Sequence, residues 1–166
     1  MKNAGSETTA IDSIDPLTRQ EARELTGWRY PPPYQIYSLS PKYLSALLKP
    51  EFRYHAVKNQ SGELIAFCCF GADARVQGGN YRRGEPEVID LGVGLRPDLT
   101  GKGLGKVVIR EVMEFALKTY RPKSLRVTIA EFNIRSIRAF QSCGFTRTHR
   151  FIRSGGDRAF LQLEKD

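Results

Sequence analysis

The chain has 166 residues, 40% of them hydrophobic, enough for one sizeable core and too many for a disordered protein. No apolar run approaches the roughly 20 residues of a membrane span, and Cys68, Cys69 and Cys143 lack both metal-ligand spacing and an even count, which points to reduced thiols in a cytoplasmic protein. The net charge of +8 suits a polyanionic partner such as nucleic acid, an acidic surface or a phosphorylated ligand, or else a basic solubilising surface.

The first stretch, "MKNAGSETTA", has no apolar core, so it reads as a flexible tail over 1–10 rather than a signal peptide, with a single domain over 11–166. "IDPLTRQEARELTGW" predicts a helix with Asp15 as N-cap, Pro16 at its first position and Gly27 as its stop. "WRYPPPYQIY" cannot be helical through three prolines and reads as an aromatic loop. "SPKYLSALLKP" is a short second helix, capped by Ser40 and Pro41. "YHAVKN" and "ELIAFCCFG" are strands joined by a turn over 59–62. "DARVQGGNYRRGEPE" is a polar loop, and "VIDLGVGL" a strand whose two glycines suggest a bulge or a close approach to its backbone.

"KVVIREVMEFALKTY" is an amphipathic helix with Val108, Val112, Phe115, Ala116 and Thr119 on one face. "SLRVTIA" is a strand, and "NIRSIRAFQSCG" a helix from Asn133 to a stop at Gly144. "RTHRFIR" and "RAFLQLEK" form a final hairpin about a turn over 154–157. The order ααββ(loop)βαβαββ gives an α/β fold, a mixed sheet with helices on both faces.

Between the strand ending near Leu95 and the helix beginning at about residue 104 lies "LTGKGLGKVV", with glycines at 101, 103 and 105. A Walker A loop fails here, because Thr100 and Val107 stand where it needs Gly and Ser or Thr. A GxGxxG fingerprint fails at Lys106. The physics still favours an anion. The first turn of a helix has unpaired N–H groups and a partial charge of about +0.5. Glycines let a phosphate approach those groups, and Lys102 and Lys106 add full charges. The alternative is a tight turn that binds nothing, which one glycine would serve.

"LRPDLTGKGLGKVVIREVMEFAL" followed by "VTIAEFNIRSIRAFQSCGF" resembles the GNAT superfamily of acyl-CoA-dependent N-acetyltransferases. That family's loop pattern is Arg/Gln-x-x-Gly-x-Gly/Ala, here Thr100-x-x-Gly103-x-Gly105. Its second pattern, a helix-opening Asn, an aromatic and a Gly-Phe pair, is here Asn133, Phe140 and Gly144-Phe145. The two motifs span about residues 88–146.

The resemblance implies a mostly antiparallel, twisted sheet with a splayed central strand pair, and acetyl-CoA as acyl donor without a metal. It implies a pyrophosphate on Gly101, Lys102, Gly103, Leu104, Gly105 and Lys106, and pantetheine along Val93, Gly94 and Leu95, at a bulge that the two strand glycines would make. Asn133 would contact the cofactor while also serving as an N-cap. Phe140, on the same helix face, would point towards the cofactor sulfur. Two departures stand out. Thr100 lacks the charged contact of the usual Arg or Gln, for which Lys102 or Lys106 would compensate. Phe140 stands where many members carry a Tyr that protonates the leaving thiolate, and a phenyl ring donates no proton. Cys143, one turn on, reads as a structural thiol.

Amine acetylation needs a neutral nucleophile, and a lysine has a pKa of about 10.4, so a base must take a proton. A backbone N–H of the splayed strand would stabilise the charge on the carbonyl. The candidate bases are Asp90, Glu87 and Glu131. Asp90 is favoured, because an acid in mid-strand among apolar residues needs a purpose or a partner. Glu131 is the second choice, two residues before Asn133. Trp28, Tyr30, Tyr34 and Tyr37 offer flat faces with polar tips for an acceptor pocket, or for a plain hydrophobic cover. The expected function is acetyl transfer to a primary amine, small-molecule or peptide, by a monomer or homodimer. A catalytically inactive CoA-binding sensor is the alternative. A basic nucleic-acid-binding domain fits less well, because no RNA-binding strand motif or recognition helix is present.

Overall fold

The computed structural model describes residues 10–82 and 87–166. Residues 1–9 of the expected tail, and 83–86 of the polar loop, lie outside the described residues. Seven strands form one sheet in the order β1-β2-β3-β4-β5-β7-β6. They are β1 (Ile11–Pro16), β2 (His55–Asn59), β3 (Leu64–Phe70), β4 (Val88–Leu95), β5 (Ser124–Ala130), β6 (Thr146–Ile152) and β7 (Ala159–Lys165). Only β4 and β5 run parallel; every other pair is antiparallel. The helices are α1 (Arg19–Thr26), α2 (Leu44–Leu47), α3 (Leu104–Tyr120) and α4 (Ile134–Ser142).

The largest core lies between one face of the sheet and helices α3 and α4. Val57, Phe70, Leu91, Val127 and Leu163 meet Val108, Val112, Ile137 and Phe140 there. A second cluster unites α1, Trp28 and α2 with Ala56 and Leu64, and Phe67 packs against it. The expected mixed sheet with helices on both faces is therefore present. On α3, Ile109 and Met113 join the buried stripe, and Thr119 is exposed rather than facing the core.

The N-terminal segment corrects one expectation. Ile11–Pro16 is a strand paired antiparallel with β2, not the start of a helix. A register shift between Ile11 and Ser13 lets Ile11 and Ile14 both pack on the main core. The helix begins three residues later, where Thr18 and Glu21 form a capping box: the Glu21 N–H donates to the Thr18 hydroxyl at 3.2 Å, and the Thr18 N–H donates to Glu21 Oε2 at 2.9 Å. Asp15-Pro16 imitates a cap locally, but pairing with β2 satisfies more backbone groups, and a proline is tolerated at a strand end.

The glycines of β4 also have a different reason from the one expected. The β3–β4 ladder keeps its register from Ala66–Leu95 to Phe70–Leu91, with no bulge. Gly94 lies opposite Phe67, and a Cβ there would stand 2.2 Å from the Phe67 ring. Gly92 lies opposite Cys69, and a Cβ there would stand 2.9 Å from its Sγ. Both glycines admit a large cross-strand neighbour, an arrangement known for aromatic rings over strand glycines.

Candidate active site

The sheet opens where β4 meets β5. The two strands pair through Val88–Ser124, Ile89–Leu125 and Asp90–Arg126, and the pairing stops there. β4 continues along β3 to Leu95, and β5 continues along β7 to Ala130. From Leu91 onward the strands diverge, so each leaves one edge of backbone groups without a strand partner. The Asp90 carbonyl accepts from the Gly71 N–H at 2.8 Å, and the Arg96 N–H donates to the Ile65 carbonyl at 2.9 Å. Even-numbered residues of β4 therefore bond β3, and by alternation Leu91, Val93 and Leu95 turn their polar groups into the wedge. Of the expected pantetheine-binding stretch, Val93 and Leu95 face the wedge. The Gly94 backbone serves the β3 ladder instead. The Tyr30 hydroxyl donates to the Leu95 carbonyl at 2.6 Å, and among the described residues Val93 keeps both its N–H and its carbonyl turned to the wedge.

The glycine loop closes the same end of the sheet. A 3-10 turn, Pro97–Leu99, leads to Gly101 (φ 72°) and Gly103 (φ 80°), both in the left-handed region that glycine enters freely. Gly103 is the N-cap of α3 and supplies no capping side chain, so the first-turn N–H groups have no partner from it. A Cβ on Gly103 would meet nothing within 4 Å. The loop thus presents free donors to open space, the condition for an anion. Lys102 and Lys106 are exposed beside it, and Leu104 is buried as an anchor. The Thr100 hydroxyl donates to the Pro97 carbonyl at 2.8 Å and is spent on the turn. Arg135, on the first turn of α4, joins the loop. Its guanidinium stacks 4.1 Å from the Tyr34 ring centroid, with Nη1 3.5 Å from the place a Gly101 Cβ would take.

The aromatic segment spans the wedge. Trp28 packs on Phe67 at 6.0 Å between ring centroids, and Tyr30 holds Leu95. Tyr34 and Tyr37 both pack on Phe132, at 5.8 and 6.3 Å. Asn133 Nδ2 donates to the Tyr37 hydroxyl at 3.2 Å, while its Oδ1 caps the Ser136 N–H. Burial pushes the Tyr30 and Tyr37 phenols above their ordinary value, so both stay protonated as donors. Burial likewise pushes the Cys69 thiol up to about 12, which makes it inert as a nucleophile. Among the described residues no group of three His, Cys, Asp or Glu is placed to hold a metal, and no helix is long and apolar enough to cross a membrane.

The three carboxylates separate. Asp90 is 2% exposed at the root of the wedge. Its Oδ1 accepts from Arg126 Nε at 2.6 Å, and its Oδ2 accepts from Arg126 Nη2 at 3.0 Å and from Arg75 Nε at 2.8 Å. The Tyr81 ring lies within 5.2 Å of both guanidinium groups. A carboxylate held this way is a counter-ion to both guanidinium groups, so the acid in mid-strand has the partner that its burial requires. Glu87 pairs with Lys123 at 2.7 Å near the closed end of the strand pair. Glu131 Oε2 accepts from Arg150 Nε at 2.6 Å, and among the described residues its Oε1 has no partner.

Phe140 is 3% exposed, and its ring packs edge-to-face on Phe145 at 5.1 Å within the main core. Cys143 is the C-cap of α4, its Sγ 3.8 Å from the Lys106 carbonyl. The ring's first task is packing. We expect Phe140→Tyr to leave the acetylation rate within about threefold, because a hydroxyl in that core position meets no established need for an acid. A large gain in a steady-state assay would show that one was missing.

The sequence matches the model of the acetyltransferase (GNAT) family over residues 19–145. The chain belongs to the GNAT family of acetyltransferases. A search by sequence among curated proteins finds no match. Solved structures share the fold. AAC(6')-Ib in complex with ribostamycin and coenzyme A is 19% identical, with 91% of this chain and 93% of that one covered at a TM-score of 0.68. A phosphinothricin acetyltransferase from Sinorhizobium meliloti, in complex with acetyl-CoA, is 13% identical over 92% of this chain and 86% of that one, at 0.65. A chimera of the spermidine N-acetyltransferase SpeG from Vibrio cholerae with hSSAT is 14% identical over 92% of this chain and 94% of that one, at 0.67.

Proposed function

We propose that this protein transfers an acetyl group from acetyl-CoA to a primary amine by direct attack, with residues 11–166 acting as one unit. The observation that carries the reading is the meeting of two features at one end of the sheet. They are a backbone wedge between parallel strands and an uncapped, glycine-lined helix start beside it. Two of the structural neighbours hold acetyl-CoA or coenzyme A, which supports the same reading.

The N–H groups of residues 103–106, with Lys102, Lys106 and Arg135, would hold the pyrophosphate. The Val93 carbonyl would accept from a pantetheine amide N–H, with Leu95 and Asn133 beside it. Bound acetyl-CoA supplies an acyl carbon activated as a thioester. The Val93 N–H, facing the wedge, is the donor that a developing carbonyl charge would find. Glu131, through its unpartnered Oε1, takes one proton from the ammonium and passes it to solvent. The N–C bond forms and the C–S bond breaks. The second amine proton reaches the departing thiolate through solvent, since Phe140 offers none. The products are the acetamide, free coenzyme A and one released proton.

The direct test incubates the purified chain with acetyl-CoA and an amine panel, and reads free thiol and acetylated product together. Thiol release without any acetylated amine would overturn transfer. We expect Glu131→Gln to lose roughly 10²–10⁴-fold in rate, the usual worth of a general base, with coenzyme A affinity unchanged. An unaltered rate and pH–rate profile would hand the proton to water.

A further inference from the structure

At the open end of β5 lies a concavity of about 480 Å³ lined by Glu131, Phe132, Arg150, Arg158 and Ala159. Its aromatic wall is Phe132, against whose ring Tyr34 and Tyr37 pack, and Tyr37 leads to Asn133 at the helix start. Its rim carries charge of both signs. The Arg158 guanidinium lies 5.2 Å from the Phe132 ring centroid and pairs with no carboxylate among the described residues. Arg150 spends its Nε on Glu131 Oε2, and among the described residues the Glu131 Oε1 has no partner. A cation rich in donors, an aromatic platform and an open carboxylate oxygen thus sit around one small space.

We propose that the acceptor is an aminocarboxylate. Its carboxylate is received by Arg158 with help from Arg150, and its ammonium is directed at Glu131 Oε1. The proposal rests on the transferase reading above. Guanidinium binds a carboxylate through two parallel N–H donors, and such charge-assisted bonds are the stronger kind. The stacking of Arg158 on Phe132 holds the guanidinium in place before the ligand arrives, which reduces the ordering lost on binding. A dicationic amine would meet two arginines against a single acid, and a protein of net charge +8 repels it at long range. The space suits a small molecule better than a folded partner.

The experiment compares each of the common α-amino acids with its carboxamide, and with putrescine, on the full chain. Ligand-detected NMR without coenzyme A reads binding, and mass spectrometry with acetyl-CoA reads acetylated product. The amide's amine loses its proton more readily than the acid's, so intrinsic reactivity favours the amide, and a preference for the acid must come from the site. We expect at least one acid to exceed its amide by about tenfold or more in both readouts, in line with a charge-assisted contact. Arg158→Gln, at an exposed position, should bring that ratio close to one while the melting-temperature response to coenzyme A is unchanged. Preference for the amide or for putrescine, no binding by any acid, or a ratio that survives Arg158→Gln overturns the proposal. Acid-selective binding without product keeps the aminocarboxylate site but overturns its role as acceptor, together with the transferase reading.

Discussion

The Gly103→Asp variant is expected to lose its response to coenzyme A. In the parent, coenzyme A at about 100 times its dissociation constant should stabilise the fold by about 2.7 kcal/mol, a rise of roughly 5–11 °C in melting temperature for a chain of this size. Gly103 holds a φ of 80° and faces open space, so a side chain there costs backbone strain and puts an anion where a phosphate is to sit. Gly103→Ala separates the two effects, since it carries the strain without the charge. Thermal shift with and without coenzyme A reads both. A folded Gly103→Asp protein that binds coenzyme A as the parent does would show the loop to be only a turn.

The Asp90→Ala variant is expected to lose about 3–5 kcal/mol of stability, the cost of removing one member of a buried ion pair. Arg126 is 3% exposed and depends on Asp90 for two of its hydrogen bonds, and Arg75 loses its carboxylate as well. Chemical denaturation measures this, with the midpoint displaced at an unchanged slope. Replacing both partners, Asp90→Leu with Arg126→Met, should recover part of the loss, because an apolar pair needs no mutual neutralisation. A variant of unaltered stability that loses 10²–10⁴-fold in rate would instead restore Asp90 as a base.

The two variants probe residues that were equally conspicuous in the sequence, a glycine before a helix and an acid inside a strand. The glycine's meaning was legible because helix starts have local rules: the N–H groups it exposes belong to the next four residues. The acid's meaning was not, because its partners, Arg75 and Arg126, lie 15 and 36 residues away and arrive by the turn after β3 and by β5. A lone carboxylate in mid-strand announces that something must neutralise it, but the neutralising group is a tertiary fact. The same holds for Gly92 and Gly94, whose neighbours Cys69 and Phe67 are set by strand register rather than by their own segment.

The sequence by itself determined the strands β2 to β7, the helix α3 with its uncapped glycine start, and α4 from Asn133, since each rests on periodicity, capping and turn chemistry within about 15 residues. It also determined the family, through the two motifs over residues 88–146. Only the tertiary structure decided that Ile11–Pro16 joins the sheet, because an Asp-Pro start serves a helix or a strand end equally well until β2 supplies its partners. Only it decided where the wedge opens, since the divergence begins at the residue where β4 and β5 stop sharing hydrogen bonds, and no local signal marks that point. And only it brought Glu131, Phe132, Arg150 and Arg158 around one space, because the neighbouring strands β5, β7 and β6 bring them to the same edge, and long-range strand pairing, not the order of residues along the chain, sets which side chains become neighbours.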